Sequence, residues 1–337
     1  MTNETLHANA AAMVAPGKGI LAADESSGTI TKRFAALGIP STEELRRQYR
    51  ETLLTAPGLE NYISGVILYD ETIRQATAEG TPFPEVLAGK GILPGIKVDT
   101  GAKPLAGHPG ETITEGLDGL RERVAEYYEL GARFAKWRAV ITISATTPTR
   151  YAILANARAL ARYAALCQEG GLVPIVEPEV LMDGDHDLAR SDAVTHQTLR
   201  EVFYALGEAS IDLQGMVLKP SMVISGSKGP GSSVQEVAEA TVRCLRDCVP
   251  PSVPGIAFLS GGQSSVVATE HLDAMVKLGP HPWTLTFSYG RALQDDALRT
   301  WSGEATNREP AQEVLLLRSK CNSEAATGRY DRALETV

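Results

Sequence analysis

Cysteine is scarce. The four residues Cys167, Cys244, Cys248 and Cys321 are scattered through 337 positions, too few for a disulfide framework, and a reducing cytoplasm is the expected setting. Cys244 and Cys248 stand four apart, on one face of a helix, where they could share a metal. No second pair with ligand spacing accompanies them, so buried helix packing is the expectation. Basic charge is also short: 32 Lys and Arg against 41 Asp and Glu leave a net charge of −9 with histidine neutral. Binding nucleic acid without regard to sequence needs a basic face that displaces counterions, so no nucleic-acid partner is expected. A local basic pocket for a small anion stays open.

Long apolar runs are missing too. Nothing approaches the roughly 18 residues of a membrane span, and Met1 to Met13 contain no basic stretch followed by an apolar one. No membrane partner is expected. The histidines His7, His108, His186, His196, His271 and His281 form no HExxH or similar ligand set, so no catalytic metal is expected. Asp183-Gly184-Asp185-His186-Asp187 is the one acidic cluster, and it lacks the remaining positions of a calcium loop; it reads as a structured loop with internal hydrogen bonds. GxGxxG and GxSxG are absent, which leaves dinucleotide binding and a hydrolase elbow unsupported. No cofactor is expected.

What is present is a regular alternation. With 43% hydrophobic and 22% charged residues the chain has ample material for a core. Eight short apolar or β-branched runs recur at 19–23, 65–69, 95–98, 134–137, 173–177, 215–219, 255–260 and 284–289. Between them, 43–54, 117–130, 150–169, 192–209, 234–247 and 269–278 carry apolar residues three and four apart, as amphipathic helices do. Units of about 35 residues match a (β/α)₈ TIM barrel, an α/β fold, spanning 1–337 as one domain. A doubly wound open sheet is the rival, but it would gather its polar groups at one switch point. Here charged groups end nearly every run, as a barrel mouth requires: Asp24, Asp70, Lys97 with Asp99, Lys136 with Arg138, Glu177 with Glu179, and Lys219.

Lysine at the end of a buried strand is costly unless it is paired or deprotonated, and a neutral amine is a nucleophile. Lys97 in GIKVD, Lys136 in FAKWR and Lys219 in MVLKP converge on one mouth. Mutual repulsion and burial are expected to depress at least one amine, enough for a Schiff base with a carbonyl substrate. Lys219 follows the most apolar run. Glu177 and Glu179, two apart, face the same side of a strand and can balance charge or shuttle protons. Glycines in LSGGQS at 259–264, and Gly290 with Arg291 after the eighth run, suit a phosphate site. Ser26, Thr29 and Arg33, with Lys97 and Arg138, offer a second anion cradle. Two cradles across one mouth suit a substrate phosphorylated at both ends.

The segments GKGILAADES at 17–26, GIKVD at 95–99, FAKWR at 134–138, PIVEPE at 174–179, LKP at 218–220, LSGGQS at 259–264 and FSYGRAL at 287–293 together closely resemble the class I, Schiff-base fructose-1,6-bisphosphate aldolases. The match runs in order from Gly17 to about Leu298. The resemblance implies Lys219 as the Schiff-base lysine, Glu177 as general acid and base, Lys136 and Glu179 as its electrostatic partners, and Asp24 at imine stabilisation and bond cleavage. It places Ser260, Gly261, Gly290 and Arg291 on the phosphate near the ketone, and Ser26, Thr29, Arg33, Lys97 and Arg138 on the far one. Thr29 stands where animal members carry serine. Those members also end in a mobile tail whose tyrosine assists enamine proton exchange. Here the sequence closes Leu334-Glu335-Thr336-Val337, Tyr330 is not assumed to stand in, and the enamine is expected to persist longer. A sugar bisphosphate substrate and a homotetramer follow from the same resemblance. The alternatives are a Schiff-base aldolase for another ketose phosphate and a non-catalytic barrel used as a scaffold.

Overall fold

The computed structural model describes residues 3–335. Its strands are β1 (Gly19–Ala22), β2 (Ile63–Leu68), β3 (Leu93–Lys97), β4 (Gly101–Pro104), β5 (Thr112–Glu115), β6 (Phe134–Ile141), β7 (Val173–Val180), β8 (Val217–Leu218), β9 (Gly255–Phe258) and β10 (Thr284–Tyr289). Eight of them are parallel and close into a barrel in the order β1-β10-β9-β8-β7-β6-β3-β2, and β4 and β5 form a separate antiparallel hairpin. Helices connect the barrel strands and pack outside them, so the fold is a (β/α)₈ barrel as the spacing of the apolar runs indicated. The chain needs this arrangement because its strands are apolar on both faces. Every residue of β1, β2, β7 and β9 is buried, and only a sheet covered on both sides can bury them.

Two apolar layers result. Outward-facing residues such as Leu21, Val66, Trp137, Val176 and Phe258 pack beneath the helices. Inward-facing Ile20, Ile67, Phe134, Val173, Ile175, Val217 and Ala257 fill the barrel, and Leu6, Ala10, Met13 and Val14 close its lower end. The first three of these come from the helix Asn3–Met13, which the periodicity did not single out. Gly95 is required by this filling: a Cβ there would lie 2.2 Å from the Phe134 ring.

Boundaries differ where polar side chains enter the barrel. β6 runs four residues beyond the expected end at 137 and β7 three beyond 177, because Arg138 and Glu179 are strand residues aimed at the mouth. The expected run 215–219 shrinks to β8, since Leu213–Gly215 forms a 3₁₀ turn stabilised by Asp212. Lys219 thus sits one residue past its strand, its N–H held by the Val176 carbonyl at 2.8 Å. The acidic loop is structured, but its bonds are largely to the neighbouring loop: Gly226 N–H donates to the His186 carbonyl and Lys228 N–H to that of Gly184. Asp187 caps the helix Leu188–Glu208. Among the described residues no helix is long and apolar enough to cross a membrane.

Candidate active site

Parallel register delivers the charged side chains to one end. Lys97 pairs across from Lys136, and Arg138 from Glu177, so the ends of β3, β6 and β7 share a level. A cavity of ≈ 680 Å³ opens there. It is lined by Asp24, Lys136, Glu177, Glu179 and Lys219, and by Ser260, Gly261, Gly290 and Arg291. Ser26, Thr29, Arg33, Lys97 and Arg138 complete the opposite wall. Every candidate catalytic or phosphate-binding residue picked from the sequence therefore reaches one space, whereas Asp70, also placed at a run's end, pairs with Arg74 outside it.

At its floor lies a compact ionic cluster. Lys136 Nζ is 2.6 Å from Asp24 Oδ2 and 3.4 Å from Glu177 Oε2, while Glu177 Oε1 is 3.3 Å from Lys219 Nζ. Lys136, Glu177 and Lys219 are each at least 96% buried. Repulsion among the lysines does not govern Lys136. Burial works against the Lys136 charge, but Asp24, Glu177 and Asp99 outweigh it and hold that ammonium well above the usual lysine range. Asp24 is the counterpart: burial would raise its carboxyl, yet Lys136, Lys219 and Lys97 bring it down to about 2. Lys97 has a carboxylate of its own, Asp99 Oδ1 at 2.9 Å. Lys219 has only a share of Glu177. Among the described residues it is the one of the three without a carboxylate to itself, and the Glu177 it shares is within reach of its proton.

Glu179 does face the mouth with Glu177, but it hydrogen-bonds the Arg138 guanidinium and no lysine. The two carboxylates thereby separate into a proton acceptor between two amines and a partner for an arginine.

On the β9 and β10 side, Gly261 and Gly262 have φ of +58° and +93°, a left-handed pair that few other residues could supply. Their turn leaves Ser260 and Gly261 on the wall. Gly290 begins the helix Arg291–Trp301 without a side-chain cap, so its free N–H groups are available to an anion. Arg291 is exposed beside them. On the opposite wall Ser26 caps the helix Ser27–Ala35 and its hydroxyl lies 3.1 Å from that of Thr29. Arg33 bonds to Glu25, and to Asp295 Oδ1 at 2.9 Å.

Sequence reasoning missed several groups. Glu25 neutralises both Arg33 and the buried Arg50, the latter at 2.8 Å, and its place beside Asp24 was the available signal. Asp295 lies 262 positions from its partner and carried none. The hairpin β4–β5 was also unforeseen; Gly101 and Ala102 line the cavity, and Thr114 Oγ1 donates to the Arg138 carbonyl at 2.7 Å. Ser288 lines the cavity with a buried hydroxyl that has no partner among the described residues. Tyr330 is not in the wall. Its hydroxyl donates to Glu335 at 2.7 Å and its N–H to Asp273, while Thr336 and Val337 lie outside the described residues.

Comparison with known proteins decides what this cavity belongs to. The family described as "Fructose-bisphosphate aldolase class-I" matches residues 5–337. The chain belongs to the class I fructose-bisphosphate aldolases. A relative from Xanthomonas campestris, a probable fructose-bisphosphate aldolase class 1, is 60% identical over 333 residues, covering 98% of this chain and 99% of its own. A cytosolic aldolase from Arabidopsis thaliana is 55% identical over 316 residues, 94% of this chain and 88% of that one. In the solved structures, the fructose-bisphosphate aldolase of Plasmodium falciparum superposes with a TM-score of 0.96 at 48% identity, covering 97% of this chain and 95% of that one. This aldolase is a carbon–carbon lyase, and the family implies a sugar bisphosphate substrate.

Proposed function

We propose that this aldolase cleaves fructose 1,6-bisphosphate through an imine on Lys219. The observation that carries the reading is the Lys219 amine, 97% buried at a barrel strand's end and 3.3 Å from Glu177. Glu177 takes the amine proton, the nitrogen lone pair adds to the ketone carbon, and the same carboxyl returns the proton as water leaves. The protonated imine then accepts the electron pair of the adjacent carbon–carbon bond. Asp24 removes the hydroxyl proton of the departing half, which leaves as glyceraldehyde 3-phosphate. Protonation of the enamine and hydrolysis release dihydroxyacetone phosphate and restore Lys219.

Lys136 stays an ammonium throughout; it keeps Asp24 ionised and balances Glu177. Glu179 acts through Arg138, which it orients toward the far phosphate together with Ser26, Thr29, Arg33 and Lys97. Ser260, Gly261, Gly290 and Arg291 hold the phosphate next to the ketone. The working unit is one domain spanning 1–337, assembled as a homotetramer and acting in the cytoplasm in glycolysis and gluconeogenesis, and its catalytic chemistry uses no metal or organic cofactor. The relatives from Arabidopsis and spinach that are named as cytosolic or cytoplasmic support that location.

Imine formation expels the ketone oxygen as water, which supplies a test. Dihydroxyacetone phosphate carrying a heavy-oxygen label at the ketone should lose it to solvent in the presence of the enzyme. Retention of the label during active turnover would contradict the covalent route.

A further inference from the structure

The cysteine pair that packing was expected to explain has a third neighbour. Cys244 and Cys248 project from one face of the helix Val234–Cys248, and His196 meets them from the helix Leu188–Glu208. One ligand atom from each lies within 4.8 Å of the other two. Sequence spacing hid this trio because His196 is separated from Cys248 by 52 positions.

The histidine is already oriented. Its Nδ1 donates to the Asp192 carbonyl at 3.0 Å, and Asp192 Oδ1 stands 3.2 Å away on the same side. Nε2 in turn donates to the Asp247 carboxylate, and release of that proton frees its lone pair for a metal. Asp247 Oδ2 lies 3.2 Å from Nε2, and its carboxylate is 52% exposed, on the open side of the cluster. Two soft sulfurs and an imidazole nitrogen supply three of the donors that a four-coordinate thiophilic cation takes.

We propose that His196, Cys244 and Cys248 bind a divalent cation of the zinc type, with the fourth position taken by water. Tetrahedral bonds of about 2.3 Å to sulfur and 2.0 Å to nitrogen set ligand atoms about 3.5–3.8 Å apart. The observed limit of 4.8 Å leaves about 1 Å to close, within reach of side-chain rotation. The two thiols release their protons to solvent as the sulfurs take the ion. The site ties two adjacent outer helices together and is separate from the chemistry, since none of its residues lines the catalytic cavity.

The test uses cobalt(II), whose thiolate complexes show a near-ultraviolet charge-transfer band. The full-length, metal-stripped enzyme, held reduced by a phosphine, is titrated with cobalt(II) and then with zinc(II). The expected result is that band saturating at one equivalent per chain and disappearing as zinc(II) displaces cobalt(II). Cys248→Ser and His196→Gln should each weaken binding by about a hundredfold. Cys248 and His196 are partly exposed, and fructose bisphosphate cleavage in the variants reports that the barrel is intact. Absence of the band in the wild type, or a band unchanged in a Cys248→Ser enzyme that still cleaves, would overturn the proposal.

Discussion

Glu177 divides its carboxylate between two amines: Oε1 lies 3.3 Å from Lys219 Nζ and Oε2 lies 3.4 Å from Lys136 Nζ. Lys136 has a closer partner in Asp24, at 2.6 Å. The division makes Glu177 available to the lysine that has no other partner, and it ranks the two buried amines by function. Glu177→Gln keeps the shape and removes the proton acceptor. It should lower kcat by about a hundredfold to ten-thousandfold with little change in KM, measured by steady-state cleavage of fructose 1,6-bisphosphate. A kcat within about threefold of wild type would remove Glu177 from the proton pathway.

Lys136 is tested through stability. Lys136→Met leaves Asp24 and Glu177 buried without their shared cation and should cost about 3–5 kcal/mol in denaturant unfolding. Adding Asp24→Asn removes one of the stranded charges, so the double variant should recover part of that loss. Strict additivity of the two substitutions would show that the 2.6 Å pair carries no coupling.

Arg33 is held by two carboxylates, Glu25 and the half-exposed Asp295. Asp295→Asn leaves the buried Glu25–Arg50 pair untouched and releases Arg33 toward the far phosphate. KM for fructose 1,6-bisphosphate should fall about twofold to fivefold, and Arg33→Ala should raise it by about tenfold. Fructose 1-phosphate has no far phosphate, so its KM should move in neither variant. Equal shifts for the two sugars would place Arg33 elsewhere in the reaction.

His271 supplies a pH dependence beneath the β9 loop. It is 98% buried, its Nδ1 donates to Gln263 at 2.6 Å, and burial brings its pKa down from 6.5 to about 4. The folded state therefore binds this proton less readily than the unfolded chain. Stability from this group is present above the unfolded pKa and is lost as pH falls from 6.5 toward 4. Between about pH 7 and about pH 5 the loss should be roughly 2 kcal/mol. His271→Gln, which can still donate to Gln263, should unfold with a correspondingly shallower pH dependence. Identical slopes for variant and wild type would contradict the buried neutral imidazole.

The barrel was legible because parallel strands covered on both faces need unbroken apolar runs, and a charged residue at the end of a run marks the mouth. Lys97, Lys136, Glu177 and Lys219 were readable for that reason. What escaped depended on contacts far apart in the chain or weakly patterned. The helix Asn3–Met13 buries only Leu6, Ala10 and Met13, which is little periodicity to detect. The pairing of Glu179 with Arg138 needed the register of β6 on β7, which strand alternation within β7 cannot supply. The expected loss of an amine proton by repulsion among lysines overlooked Asp24, which reaches Lys136 from the far side of the barrel and reverses the effect there.

The most direct measurement is borohydride reduction in the presence of dihydroxyacetone phosphate, followed by peptide mass mapping of the trapped adduct. A single adduct on Lys219, absent from Lys219→Arg, is the predicted result. An adduct on Lys136 or Lys97, or none on folded enzyme that demonstrably binds the ligand, would contradict the assignment of Lys219 as the nucleophile.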